Sequence, residues 1–279
     1  MGQGRHSWRY IVVPFYCLVL VGCFNPRAQQ WKGISPYPTQ LASAILSHNP
    51  RRVKELLDSG ANPNQISSVG PDSHGVPINV NTPLAIAVSV RKIYDTVVLR
   101  LLLDHGADPN GWNSLLAKRS NQYFTPLVTA IGIGLTNAVE YLLRHGANPN
   151  VIDPPNDWAG ASPLGWAISD KRCLIRFAFL DRWAWGDTSL AYRRRIYDTI
   201  IATLFKYGAS PTLADHRGFT PLHQAAWSCD SSVAEELIAR GASLTAKDKD
   251  GETPEDIARK EGCTSVLNVL LRHREQPHK

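Results

Sequence analysis

The 279-residue sequence predicts an all-α solenoid of about six helix-turn-helix repeats. Three observations predict it. Gly-Ala pairs recur at Gly60, Gly106, Gly146, Gly208 and Gly241, and Gly accepts the left-handed conformation that ends a helix. Ser/Thr-Pro-Leu triplets recur at Thr82, Thr125, Ser162 and Thr220, with Thr253-Pro254-Glu255 and the weaker Thr39-Gln40-Leu41 completing the series. There the hydroxyl side chain caps a helix and Pro is pre-set for its first position. Spacing joins the two signals: from helix start to Gly is 21 residues in the units that begin at Thr39, Thr125 and Thr220. A hydrophobic content of 43% supports a core of this size, and 19% charged residues argue against disorder by composition.

Residues 1–22 read differently. Arg5 and Arg9 precede an apolar run from Tyr10 to Val21, interrupted by Pro14, too short to span a bilayer and shaped like a secretory signal. Leu20-Val21-Gly22-Cys23 resembles the bacterial lipobox, and the resemblance implies cleavage before Cys23 and acylation of its thiol. Residues 23–38 then form a lipidated tether, aperiodic and rich in proline. Phe24 follows Cys23 where inner-membrane lipoproteins of enteric bacteria carry Asp, so the expected location is the periplasmic side of the envelope, with the outer membrane favoured.

The repeat domain is expected over 39–272, with a tail at 273–279. Asn62-Pro63-Asn64, Asp108-Pro109-Asn110 and Asn148-Pro149-Asn150 follow three of the glycines and read as exits from second helices. Those helices carry an apolar stripe, read as Val97, Leu101 and Leu102 in one and Val139, Leu142 and Leu143 in another. Asp250 to Ala258 places charges where inner units are apolar, as an end unit facing water requires.

Asp215-His216-Arg217-Gly218-Phe219-Thr220-Pro221-Leu222-His223-Gln224-Ala225-Ala226 carries the signature T-P-L-H-x-A in full and is similar to the ankyrin repeat. The resemblance implies a protein-binding module with no catalytic site and no cofactor. It assigns His223 a structural hydrogen-bonding role. His105 and His145, each next to a helix-ending Gly, read as favourable helix C-terminal placements rather than as metal ligands.

Departures from the repeat point to where binding occurs. The linkers from Gly to the next helix start are 22, 19 and 16 residues in the first three cases and 12 in the last two. The lengthened fingers, 65–81, 111–124 and 151–161, offer Asp72, His74, Trp112, Tyr123, Asp157 and Trp158 as candidate contacts. A near-repeat, Arg91 to Val97 against Arg194 to Ile200, lies 12 residues after the helix start in one unit and 35 in the other, when measured to Tyr94 and Tyr197. About 23 residues are thus inserted between the two helices of repeat four, around 171–194, ending near Arg194 where the shared motif marks the start of the second helix. The insert carries Arg176, Arg182, Trp183, Trp185, Tyr192, Arg193 and Arg194, residue types that dominate interface energetics. Aromatic packing against neighbouring helices is the competing reading of the same residues.

Of the five cysteines, Cys173, Cys229 and Cys263 remain in the mature domain, without metal-like spacing. Cys229 and Cys263 fall at near-equivalent places in adjacent units. Free or buried thiols are the favoured reading and a disulfide the alternative. The net charge of +6 is scattered and gives no nucleic-acid footprint. Neither a phosphate-binding glycine loop nor a nucleophile motif is present, so no small-molecule substrate is expected. The expectation is a lipoprotein that binds and neutralises or regulates an enzyme or toxin in the manner of an immunity protein. The alternative partner is a resident periplasmic enzyme that the repeats support.

Overall fold

The structure is a computed structural model that describes residues 37–67, 70–71, 77–78, 81–89, 96–111, 125–152, 161–176 and 190–275. Twelve helices form six pairs among the described residues: α1 (Gln40–Leu46) with α2 (Pro50–Asp58), α3 (Pro83–Ser89) with α4 (Thr96–Asp104), α5 (Pro126–Ile133) with α6 (Thr136–Arg144), α7 (Pro163–Arg176) with α8 (Leu190–Lys206), α9 (Pro221–Trp227) with α10 (Ser231–Ala239), and α11 (Pro254–Lys260) with α12 (Thr264–Glu275). The expected signal segment and the tether up to residue 36 lie outside the described residues. None of the described helices is long and apolar enough to cross a membrane.

Each first helix starts on its hydroxyl cap: backbone N–H groups three residues on donate to Thr39, Thr125, Thr220 and Thr253, and to Ser162. The helix-ending glycines all hold positive φ, between 83 and 93 degrees, which fixes the exit of every second helix in one conformation. That Gly also sets the phase of the buried stripe. Residues eight, seven, four and three before it are buried in repeats two to five, for example Ala138, Val139, Leu142 and Leu143. In α4 the stripe is therefore Val98, Leu99, Leu102 and Leu103, one step from the expected one. Val97 is exposed and Leu101 only half-buried, because 3.6 residues per turn carry them off the packed face.

First helices pack in one continuous layer, α1 against α3, then α5, α7, α9 and α11. The second helices form a layer from α2 through α4 and α6 to α8, and another from α10 to α12, with contact between α8 and α10 at most slight. The first finger forms a β-hairpin, β1 (Gly70–Pro71) antiparallel to β2 (Pro77–Ile78), with Gly70 opposite Ile78. Ser67 and Asn81 close its base, and Ser67 Oγ accepts a 2.8 Å bond from the backbone of Thr39.

The insertion differs from expectation. Part of it is helix: α7 has 14 residues where the other first helices have 7 or 8, and α8 has 17 where most second helices have 9. The second helix begins at Leu190, ahead of Tyr197, so the motif shared with Arg91 to Val97 lies inside α8 rather than at its start. Tyr197 is fully buried, and a side chain that large in the core phases α8 as a continuous helix.

Cys229 and Cys263 are joined by a disulfide, with Cα atoms 5.1 Å apart. This corrects the preference for free thiols. The turns after α9 and α11 bring near-equivalent positions of adjacent repeats within disulfide reach.

Candidate binding surface

Two kinds of side chain decide what this surface is: those that lock repeat to repeat, and those left facing solvent. Locking begins with the Asn-Pro-Asn segments. Asn64 donates from Nδ2 to the carbonyl of Gly106 at 2.9 Å and accepts from the backbone of Asp108 at 2.8 Å. Asn110 repeats both bonds to Gly146 and Asn148, and Asn150 to Gly208 and Ser210, at 2.7 to 2.9 Å. These carbonyls lie just past the ends of the second helices, so the second Asn is an inter-repeat rung rather than a mere exit signal. Thr212 and Thr245 occupy the corresponding places in repeats four and five, and the ladder ends at Ser210.

A second, exposed ladder runs beside it. His105 Nδ1 meets the carbonyl of Leu101 at 2.8 Å, and Nε2 lies 3.1 Å from Asp58 of the preceding repeat. His145 does the same with Tyr141 at 2.9 Å and Asp104 at 3.8 Å. Hydrogen bonds from Lys54 and then from His105 hold the Asp58 carboxyl below its ordinary pKa. The helix C-terminal placement expected from sequence is present; the carboxylate partner one repeat away was not visible there.

At the base of the insertion Lys171 is buried and reaches two carboxylates, Asp198 of α8 at 2.5 Å and Asp230 of repeat five at 2.6 Å. Burial pushes its pKa down, but the hydrogen bonds it donates to Asp198 and Asp230 outweigh that and hold it above its ordinary value. Asp230 also caps α10 through Val233, so a single ion pair cluster ties the inserted helices to the next repeat. Ser169 donates to Gln224 at 2.9 Å in the same buried seam. On the outer side Arg240 stacks over the Phe205 ring at 4.2 Å, a cation–π contact across the α8–α10 gap.

The C-terminal repeats use a different joint. Asp215 Oδ1 accepts from the backbone of Arg217 and Phe219, and Asp248 Oδ1 from Asp250 and Glu252. The two short fingers meet where Lys249 donates to the Arg217 carbonyl at 2.7 Å. Gly218 has φ +79, and a Cβ there would sit 3.1 Å from the Asp248 backbone, so only Gly fits. His223 is completely buried: Thr220 donates to Nδ1 at 3.1 Å, which leaves the proton on Nε2 for the Glu252 carbonyl at 3.1 Å. Desolvation lowers its pKa below the ordinary 6.5 against the raising effect of that carbonyl, so His223 is a neutral structural group.

The surface left over is uneven. Pro83–Val88, Pro126–Ile133 and Pro221–Trp227 are buried throughout, so those first helices present no open side chain. Exposed aromatic surface in the described residues includes Tyr192, 55% accessible on the first turn of α8, with Arg194 and Arg195 exposed beside it. Arg176 ends α7 and Arg193 lies in α8, which the packing of α7 against α8 brings onto one helical hairpin. Cys23, Asp72, His74, Trp112, Tyr123, Asp157, Trp158, Arg182, Trp183 and Trp185 lie outside the described residues. Among the described residues no group of three or more His, Cys, Asp or Glu side chains is arranged to hold a metal ion.

Comparison with known proteins agrees with this division. A model of three tandem ankyrin repeats matches residues 41–153, and a single ankyrin-repeat model matches 217–249; together they cover just over half of the chain. Neither reaches 154–216, where the insertion lies. Palmitoyltransferase AKR1 of Lachancea kluyveri is 31% identical over 155 residues, which is 51% of this chain and 20% of the yeast protein. An ankyrin repeat protein of Rickettsia bellii is 34% identical over 137 residues, 47% of this chain and 55% of its own length. Protein glp-1 of Caenorhabditis elegans is 26% identical over 241 residues, 75% of this chain and 18% of that protein. The chain thus spans from 18% to 55% of the length of these relatives.

Proposed function

Because the chain is built of ankyrin repeats, a scaffold of stacked helix pairs that binds other proteins, we propose that it is a non-enzymatic binding lipoprotein of the bacterial envelope. Tethered through acylated Cys23, it binds and neutralises or regulates an enzyme or toxin entering the periplasm. The observation that carries the binding role is the asymmetry of the stack. Three linkers are lengthened in the sequence and α7 and α8 are extended, on a scaffold whose own joints are hydrogen-bonded from repeat to repeat, and loops held on a rigid frame are where recognition residues accumulate. The envelope location is supported by the lipobox-like Leu20-Val21-Gly22-Cys23 and by the Cys229–Cys263 disulfide, since disulfides persist in oxidising compartments.

The test places a photocrosslinking amino acid at Trp158 or Trp183 and, as a control, at His216 or Lys249 on the short fingers, in the producing strain. A single stoichiometric partner captured from the first pair and not from the second is the expected result. Deletion of the gene should then sensitise the cell to that partner. Crosslinks from the short fingers alone, or a deletion strain with unchanged resistance to its own and sibling toxins, defeats the reading. Cys23→Ser should release the protein from membranes.

A further inference from the structure

We propose that the Cys229–Cys263 disulfide is a redox-modification site that locks the last repeat onto the stack, and that a dithiol reductant unlocks it by attack at Cys229. Three observations carry this. First, the bond joins equivalent turns of repeats five and six, 34 residues apart. Cys229 has φ 56 and Cys263 directly follows Gly262 at φ 70, the left-handed positions that His48 and Gly134 occupy in repeats one and three. A side-chain-bearing residue is uncommon there, and Cys229 holds the place with a covalent bond to its neighbour.

Second, the joint that the disulfide spans lacks the asparagine rungs. Thr245 stands where Asn64, Asn110 and Asn150 stand in earlier units, and repeat six is held by the Lys249–Arg217 backbone bond, the His223–Glu252 bond, an exposed Arg272–Glu235 ion pair between α12 and α10, and apolar contact of α11 and α12. Among the described residues repeat six packs against repeat five alone, so its docking depends on that interface. Removing a cross-link that closes a loop of about 34 residues restores the entropy of that loop to the undocked state.

Third, the two ends differ in access. Cys229 is exposed, whereas Cys263 is 3% accessible in the core. A thiolate of the reductant therefore attacks the Cys229 sulfur and expels Cys263 as thiolate, which takes up a proton. The second thiol of the reductant then attacks the mixed disulfide and releases Cys229, also as a thiol after protonation. Two electrons pass from the dithiol to the protein, and the reductant leaves as its own disulfide.

The experiment is hydrogen exchange on the full chain before and after treatment with dithiothreitol, with intact mass confirming the gain of two hydrogens. Amides of α11 and α12 should exchange faster by roughly two to three orders of magnitude, the span that loop entropy allows, while those of α1 to α4 stay unchanged. Cys229→Ser and Cys263→Ser should show the fast rate with or without dithiothreitol. Should either variant fail to fold, the reduced wild-type protein still decides the matter. A dithiol oxidoreductase lacking its resolving cysteine provides a second arm and should be trapped on Cys229. Unchanged exchange in α11 and α12 after full reduction, equal acceleration along the whole stack, trapping on Cys263, or two free thiols in protein recovered from an oxidising compartment each overturns the proposal.

Discussion

Repeats one to four and repeats five to six share one helix pair but are joined by different chemistry. In the first group each joint is a side-chain rung, an asparagine spanning two backbones, backed by His105–Asp58 and His145–Asp104. In the second group the joints are made by Asp-stabilised finger turns, a buried His and a disulfide. The repeats joined by asparagine rungs are the ones followed by the long linkers of 22, 19 and 16 residues. Where the finger itself forms the joint, through Asp215, Gly218 and Lys249, it stays at its minimum length. Joint chemistry and linker length thus change together along the stack.

The boundary between the groups is repeat four, and Lys171 is its strongest test. Lys171→Ala leaves Asp198 and Asp230 around an empty buried site. Breaking a buried pair by removing one partner costs about 3 to 5 kcal/mol, and the half-exposed Asp198 places the expected loss near the lower figure, about 3 kcal/mol. The loss should be local: hydrogen exchange should accelerate in α7 to α10 and leave α1 to α4 at their former rates. An even loss over all six repeats would mean that the two groups form one cooperative unit.

The rungs themselves come next. Asn110→Ala removes one donated and one accepted bond between repeats two and three, and two hydrogen bonds at an exposed edge are worth about 1.5 kcal/mol together. Thr245→Ala, at the same place in repeat five, should cost under about 0.5 kcal/mol, the ordinary range for a surface substitution. Urea denaturation of the two variants measures the contrast. Equal costs would erase the distinction between the groups.

Much of this was legible in sequence because the stack is periodic. Caps at Thr39 to Thr253, exits at Gly60 to Gly241 and the charged last unit are local signals, each fixed by one or two residues. What was not legible is long-range. Asn64, Asn110 and Asn150 follow a proline in plain view, yet their partners lie 36 to 60 residues away, and only the stacking of the repeats brings them together. Lys171 read as part of an insertion because its carboxylates lie 27 residues on in α8 and farther still in repeat five. The disulfide is only the alternative reading in sequence for the same reason: near-equivalent positions say nothing of distance until the pitch of the stack is known. In α4 the stripe was misplaced by one residue, since Val97 and Val98 are chemically alike and only the distance back from Gly106 separates them.

The smallest effect asks whether the boundary is set by chemistry or by shape. Thr212 lies four residues after Gly208, as each rung asparagine lies four after its own glycine, and the turn around it is already of the rung type. Ser210 accepts from the Thr212 backbone at 3.3 Å and donates its own backbone N–H to Asn150 at 2.7 Å. Thr212→Asn supplies the missing amide toward Gly241 and Ser243, at the loss of a 3.1 Å contact between the Ser210 and Thr212 hydroxyls. If the spacing between α8 and α10 matches that of the earlier repeats, the rung forms and stability rises by about 0.5 to 1 kcal/mol, seen as a Tm increase of about 1 to 4 °C. If the melting temperature stays the same or falls, the slight contact between α8 and α10 reflects a wider step that the inserted helices impose. In that case Lys171 and the Arg240–Phe205 stack are what this joint requires, because an asparagine side chain does not span it.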